Sequence, residues 1–152
     1  HVMAGFASGE AARAVYIENL KYACEAARPH NITIMIEPLN HYDAPGYFLS
    51  TTSEAKSVIK DAGQSNLKLM FDCYHVQLME GDVSHRLEAL LPLIAHIQFA
   101  SVPERAAPDR GELNYRHIFD VIKGLGYSKP LGAEYKPDGP TEPTLSWMKE
   151  HR

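Results

Sequence analysis

Short apolar runs alternate along the chain with longer segments in which apolar residues recur at helical spacing. Four of these runs, rich in β-branched or aromatic residues, cover residues 32–36, 67–71, 94–99 and 131–135. Runs of this length and composition predict strands, and the run at 32–36, which has no polar alternation except Thr33, suits a parallel strand that is covered on both faces. Residues 1–4 have the same character and predict the end of a further strand, which gives about five parallel strands in all.

The segments between the runs predict helices. Their expected positions are 11–28, 51–62, a short helical turn at 74–80, 83–91, 115–125 and about 145–151. Thr51 and Glu54 have the spacing of a capping box, and Gly63 is placed to end the same helix. Ser8 is a candidate N-cap for the first helix. The order of elements is therefore β-α-β-α throughout.

Two architectures fit this order. A closed (β/α)₈ barrel needs eight strands and typically about 250 residues, so this chain predicts a partial barrel of the TIM type. The alternative is an open doubly wound sheet, which usually places a glycine-rich phosphate loop after its first strand, and HVMAGFASGE does not match GxGxxG. The α/β barrel is preferred because residues at four successive strand ends can converge on one point only if the sheet curves.

Composition narrows the class of protein. The chain has 152 residues, 45% hydrophobic and 22% charged, and no linker or low-complexity segment, so we expect one domain spanning 1–152. The net charge is −4 with scattered Lys and Arg, which argues against a nucleic-acid partner. Apolar stretches are too short for a membrane span and no leader pattern opens the chain, so we expect a cytoplasmic protein. Cys24 and Cys73 lack the spacing of a disulfide framework or a zinc site.

Four acidic or amide residues stand at the ends of the apolar runs: Glu37, Asp72, Gln98 and Glu134. In parallel sheets the carboxyl ends of strands collect the chemistry, and burying an unpaired carboxylate costs several kcal/mol. A shared divalent cation would offset that cost.

Two basic residues near these ends are candidates for substrate binding. Arg105 lies in the long loop after Gln98 and could hold a substrate carboxylate bidentately; the alternative is a solvated loop arginine. Lys136 follows Glu134 by two positions, so strand alternation directs it back towards the same rim.

The stretches IMIEPLNHYDAPGYFLSTT, LKLMFDCYHVQLMEGD, HIQFASVPERAAPDRGELNY and LGAEYKPDGPTEPTLSWM resemble the C-terminal part of the hydroxypyruvate isomerase family, in the xylose isomerase-like (β/α)₈ barrel superfamily. The resemblance implies that the four strand-end residues ligate Mg²⁺ or Mn²⁺, and that Glu37 and Glu134 also transfer protons. It implies a substrate contact for His75, whose alternative is a helix-turn histidine bonded to backbone. It further implies that the family's first three strands have no counterpart here.

The implied reaction interconverts hydroxypyruvate and tartronate semialdehyde, or a related short hydroxy-oxo acid. The loop ASVPERAAPDRGE departs from the family pattern, which leaves the substrate open. A ketose 3-epimerase uses the same metal and glutamates, although Gln98 and Arg105 disfavour it. The superfamily's DNA-repair endonuclease would need more histidines and a basic groove. The last alternative is a catalytically incomplete half-barrel that self-associates through exposed sheet edges, and we expect a homo-oligomer.

Overall fold

The structure, a computed structural model, describes residues 1–151, and the chain divides into two compact units. The first unit contains residues 1–71 with 93–95, and the second contains residues 72–92 with those from 96 onward. Among the described residues, no helix combines the length and the apolar character that crossing a bilayer requires. The single domain predicted from the sequence stays a prediction.

The first unit pairs two strands and two helices. Its elements are α1 (Gly9–Ala27), which continues as a 3₁₀ turn (Arg28–His30), β1 (Ile34–Ile36), α2 (Thr52–Ala62) and β2 (Leu67–Asp72), whose last residue belongs to the second unit. β1 and β2 are parallel, with Ile34 opposite Leu67. The predicted capping box is confirmed, because Glu54 N–H donates to Thr51 Oγ1 at 3.2 Å and Thr51 N–H donates to Glu54 Oε2 at 2.9 Å.

The N-terminal segment differs from its prediction. Residues 1–4 form no strand, and a backbone hydrogen bond joins them to β1, from Val2 N–H to Met35 O at 2.9 Å. Ala4 N–H turns instead to the hydroxyl of Tyr47 at 2.8 Å. A side-chain acceptor therefore takes a donor that a strand would place in its ladder, and the structure has four strands rather than about five among residues 1–151.

The second unit repeats the alternation of strand and helix. Its elements are α3 (Cys73–Met79), α4 (Val83–Leu90), a 3₁₀ turn (Leu91–Leu93), β3 (Ile94–Phe99), α5 (Tyr115–Gly124), β4 (Leu131–Ala133) and a 3₁₀ helix (Glu142–His151). The last residue of the 3₁₀ turn and the first two residues of β3 belong to the first unit. β3 and β4 are parallel, with Gln98 opposite Gly132. The last helix is 3₁₀ rather than α, as the i→i−3 bond from Thr144 N–H to Thr141 O shows.

Phe99 centres an aromatic cluster in the second unit. Its ring lies 5.0 Å from Phe119, 5.6 Å from Tyr115 and 5.6 Å from Trp147, between ring centroids. The pairs with Phe119 and Trp147 are edge-to-face, and such pairs contribute about 0.5–1.5 kcal/mol each beyond their buried area. The cluster packs around the last residue of β3, next to the loop that carries Arg105.

Candidate functional site

Asp72 stands at the junction of β2 and α3 and is fully buried. It is the N-cap of α3, and its Oδ1 accepts a hydrogen bond from Tyr74 N–H at 2.9 Å. Its second oxygen, Oδ2, lies 3.6 Å from Nε2 of His75, which is 2% exposed. The strand-to-helix junction therefore orients the carboxylate, and the helix turn brings the histidine against it.

The guanidinium of Arg105 lies close to the carboxylates of both Asp72 and Glu134. One terminal nitrogen of its guanidinium, Nη2, lies 2.5 Å from Glu134 Oε2 and 3.9 Å from Asp72 Oδ2. The guanidinium carbon lies 5.0 Å from the centroid of the Tyr74 ring, within the range of a cation–π contact. The arginine therefore balances the charge of two strand-end carboxylates, and it is not a solvated loop residue.

The loop after β3 holds Arg105 by its backbone. Arg105 has a φ of 55°, in the left-handed region. Its N–H donates to Ser101 O at 2.9 Å, and its carbonyl accepts from Lys136 N–H at 2.7 Å. Ser101 closes the loop through both its N–H, which donates to Ala106 O, and its hydroxyl, which accepts from Ala106 N–H, each at 2.9 Å. Both peptide groups of Arg105 are thus fixed.

Glu134 and Gln98 lie at the ends of neighbouring strands. Glu134 follows β4, its N–H donates to Phe99 O at 3.0 Å, and its side chain is half exposed. Gln98 lies opposite Gly132, where a Cβ would approach Gln98 Cγ to 3.2 Å and His96 Nε2 to 2.8 Å. Gly132 therefore leaves the space that both side chains occupy.

The side-chain oxygens of Asp72, Glu134 and Gln98 in the second unit suit a hard divalent cation as ligands. Among the described residues, Gln98 Oε1 is buried and has no hydrogen-bond partner. A buried amide oxygen without a partner is costly, since its desolvation is uncompensated. Carboxylate and amide oxygens from Asp72, Glu134 and Gln98 are ligands that Mg²⁺, Mn²⁺ and Ca²⁺ prefer.

Glu37 lies in the first unit. It directly follows β1, is 5% exposed, and its Oε2 lies 3.2 Å from Nδ1 of His1. Nearby, burial raises the pKa of the Tyr47 hydroxyl; the bond from Ala4 N–H lowers it, and the charge of Glu37 raises it. The carboxylate thus occupies a buried strand end, as the sequence predicts, with a histidine beside it that the sequence did not point to.

Cys73, next to Asp72 in the chain, is a buried thiol with a raised pKa. Burial raises the pKa of Cys73 well above its ordinary value of 9.0, and the charge of Asp72 raises it further. Burial also raises the pKa of Tyr115 strongly, and its hydroxyl donates to Ala100 O at 2.6 Å. Both groups stay protonated near neutral pH, so the ionisable chemistry of the unit lies with its carboxylates and histidines.

The second unit joins most of the predicted site residues. Asp72, His75, Arg105 and Glu134 form one chain of contacts, whereas Lys136 has an exposed side chain and reaches the site through its backbone. Sequence reasoning missed Tyr74, Ser101 and Gly132. Only Tyr74 carried a usable signal, because it lies two positions after a predicted strand-end carboxylate.

The sequence is similar to a family of barrel proteins and to two isomerases. The model of the xylose isomerase-like TIM barrel family matches residues 1–151. A 2-oxo-tetronate isomerase from Cupriavidus necator is 46% identical over 99% of this chain and 60% of its own length. A hydroxypyruvate isomerase from Escherichia coli is 42% identical over 98% of this chain and 57% of its own length.

A solved structure described as an AP endonuclease, family 2, from Brucella melitensis is also similar. It is 40% identical with a TM-score of 0.95, and the match covers 100% of this chain and 60% of that one. The chain thus spans about three-fifths of the length of these relatives, whose matched shares are 60%, 57% and 60%.

Proposed function

We propose that this chain, which belongs to the xylose isomerase-like TIM barrel family, is an isomerase of small hydroxy-oxo acids. The substrate of the proposal is hydroxypyruvate, converted to tartronate semialdehyde, or a related short acid. Two relatives named as isomerases, at 46% and 42% identity, support the reaction class. The observation that carries the proposal is the buried, unbonded Oε1 of Gln98 beside strand ends that bear Asp72 and Glu134.

The proposed metal ligands are Glu37, Asp72, Gln98 and Glu134, and the proposed ion is Mg²⁺ or Mn²⁺. Glu37 is included because barrels of this family place successive strand ends on one rim. When bound, the ion would act as a Lewis acid on the substrate's oxygens and stabilise an enediolate by several kcal/mol.

The side chains then move protons between adjacent carbons. Isomerisation removes one proton from the hydroxymethyl carbon of hydroxypyruvate and returns one to the neighbouring carbonyl carbon. The hydroxymethyl oxygen gives up its proton and becomes the aldehyde oxygen, and the former ketone oxygen gains a proton and becomes the hydroxyl. Glu37 and Glu134 are the proposed acid and base. A carboxylate suits this role because it can take a proton in one step and return it in the next.

Three further residues would bind the substrate. Arg105 is the proposed partner of the substrate carboxylate, since its planar fork matches a carboxylate bidentately. His75, fixed beside Asp72, would contact a substrate oxygen, and Lys136 would add positive charge at the rim. Together they favour an acid over a neutral sugar, which is why a ketose 3-epimerase is the weaker alternative.

The second candidate is a catalytically incomplete half-barrel that self-associates. The first unit exposes large apolar side chains, with Phe6 at 66%, Val15 at 61% and Met3 at 57% exposed. Such surface favours pairing of chains. Size-exclusion chromatography with light scattering tests this candidate: a dimer or larger homo-oligomer supports it, and a compact monomer refutes it.

The isomerase proposal is tested by turnover. Hydroxypyruvate is incubated with the chain and Mg²⁺ or Mn²⁺, and tartronate semialdehyde is measured by NMR, alongside Glu134→Gln and a surface control, Glu88→Gln. We expect metal-dependent product from the wild type and the control, and a loss of about 10²-fold or more in Glu134→Gln. Equal turnover in Glu134→Gln, or turnover without metal, would contradict the assigned roles.

A further inference from the structure

Arg105 contacts carboxylates that the proposed function gives to the metal. Its guanidinium lies 2.5 Å from Glu134 Oε2 and 3.9 Å from Asp72 Oδ2. Resting on that proposed function, we infer that Arg105 and the divalent cation compete for these carboxylates, and that the substrate's carboxylate relieves the competition by binding the guanidinium. Metal and anionic substrate then strengthen each other's binding.

The competition follows from charge and distance. A guanidinium within 4 Å of a carboxylate neutralises it, and a second cation at the same oxygen meets both a weaker attraction and a direct repulsion. Coordination of an ion by Glu134 therefore requires this ion pair to loosen. The guanidinium, with a side chain only 17% exposed, then needs another anion close by, because a partly buried charge without a partner is costly.

The loop allows this exchange with little movement. Both peptide groups of Arg105 are hydrogen-bonded, to Ser101 O and from Lys136 N–H, so the backbone stays in place. The side chain can rotate between Glu134 and an incoming carboxylate while it keeps the ring of Tyr74, 5.0 Å from its guanidinium carbon, as a common contact. Tyr74 and Ser101 are accordingly positioning residues for the exchange.

Selection for acids is the functional consequence. A neutral sugar offers the guanidinium no charge, so Arg105 stays on Glu134 and opposes metal coordination. An acid substrate releases Glu134 both for the ion and for proton transfer. By thermodynamic reciprocity, the factor by which the acid tightens metal binding equals the factor by which metal tightens binding of the acid.

Mn²⁺ affinity, read from the EPR signal of free Mn²⁺, tests the inference without a turnover assay. The proteins are the full chain, Arg105→Gln, Arg105→Lys and a control, Arg110→Gln, which removes an exposed arginine paired with Asp109. Each is titrated alone and with D-glycerate. We expect Arg105→Gln to bind Mn²⁺ about tenfold more tightly than the wild type, since the competing charge is gone. Arg105→Lys, which keeps the charge, and Arg110→Gln should remain near the wild type.

The outcomes separate this inference from the proposed function. D-glycerate should tighten Mn²⁺ binding more in the wild type than in Arg105→Gln, where only direct chelation remains. Equal or weaker Mn²⁺ binding by Arg105→Gln, or an equal effect of D-glycerate in both proteins, would overturn the competition and leave the metal site standing. Absence of Mn²⁺ binding in all four proteins would overturn the metal site, and this inference with it.

Discussion

Gly111 is the point at which the loop carrying Arg105 tolerates no side chain. A Cβ at Gly111 would lie 2.5 Å from Val102 O, 3.0 Å from Val102 N and 3.2 Å from Ser101 Cβ. The two nearest atoms are backbone, so they cannot rotate away. Gly111 also has a φ of 89°, in the region that favours glycine. We therefore expect Gly111→Ala to destabilise the second unit.

The loss of stability in Gly111→Ala is the sum of three free-energy costs. A positive φ costs a non-glycine residue about 1–2 kcal/mol, and overpacking costs about 1–3 kcal/mol. Relief of the clash displaces Val102 O and loses its bond from Glu112 N–H, 2.9 Å long, worth about 1 kcal/mol. The sum is about 3–6 kcal/mol, a large share of the stability of a domain of this size.

Gly81→Ala is the matched control. Gly81 has a φ of 64°, but a Cβ there would meet no atom within 4 Å, so only the backbone cost of about 1–2 kcal/mol applies. Urea unfolding followed by the fluorescence of Trp147, which packs on Phe99 in the same unit, measures both variants. If Gly111→Ala loses no more than about 0.5 kcal/mol beyond Gly81→Ala, within the usual error of such comparisons, the close approach to Val102 is refuted.

Two further predictions concern the buried thiols and the capping box. Burial raises the pKa of both Cys24 and Cys73 above 9.0, so at pH 8 their thiolate fraction is below that of a free cysteine. We therefore expect a thiol reagent such as DTNB to label the folded chain slowly and to label both cysteines at once in urea. Fast labelling of the folded chain would contradict their burial. Thr51→Ala should cost about 1 kcal/mol in urea unfolding because α2 loses its capping box, whereas Ser53→Ala, at an exposed helix position, should change stability little.

Much of the fold could be predicted from the sequence, because apolar periodicity reports which elements are buried. The strand at Ile94–Phe99 and the helix begun by Thr51 agree with their predictions, and the predicted fold class is confirmed by membership of the family. The prediction of a strand at residues 1–4 was wrong. Apolar periodicity cannot distinguish a strand paired in a sheet from an extended segment whose backbone bonds to a nearby side chain, here that of Tyr47.

The site was only partly predictable for a related reason. Strand-end positions identified Asp72, Gln98 and Glu134 individually, since parallel strands collect polar groups at one edge. The contact of Arg105 with Glu134 joins residues 29 positions apart, and its geometry depends on a left-handed backbone that the sequence around Arg105 does not signal. Gly132 leaves space for the side chain of Gln98 because the two residues lie opposite each other in β3 and β4, and this register is seen only in the structure.

Exchange of the hydroxymethyl protons of hydroxypyruvate with D₂O measures whether Glu134 and a divalent ion together abstract a proton from the substrate, whatever product accumulates. The chain with Mn²⁺ is compared by NMR with the chain plus a chelator, with Glu134→Gln and with Mn²⁺ alone. We expect exchange above the Mn²⁺ background only when both the ion and Glu134 are present. Exchange at the background rate, or at the wild-type rate in Glu134→Gln, would contradict it.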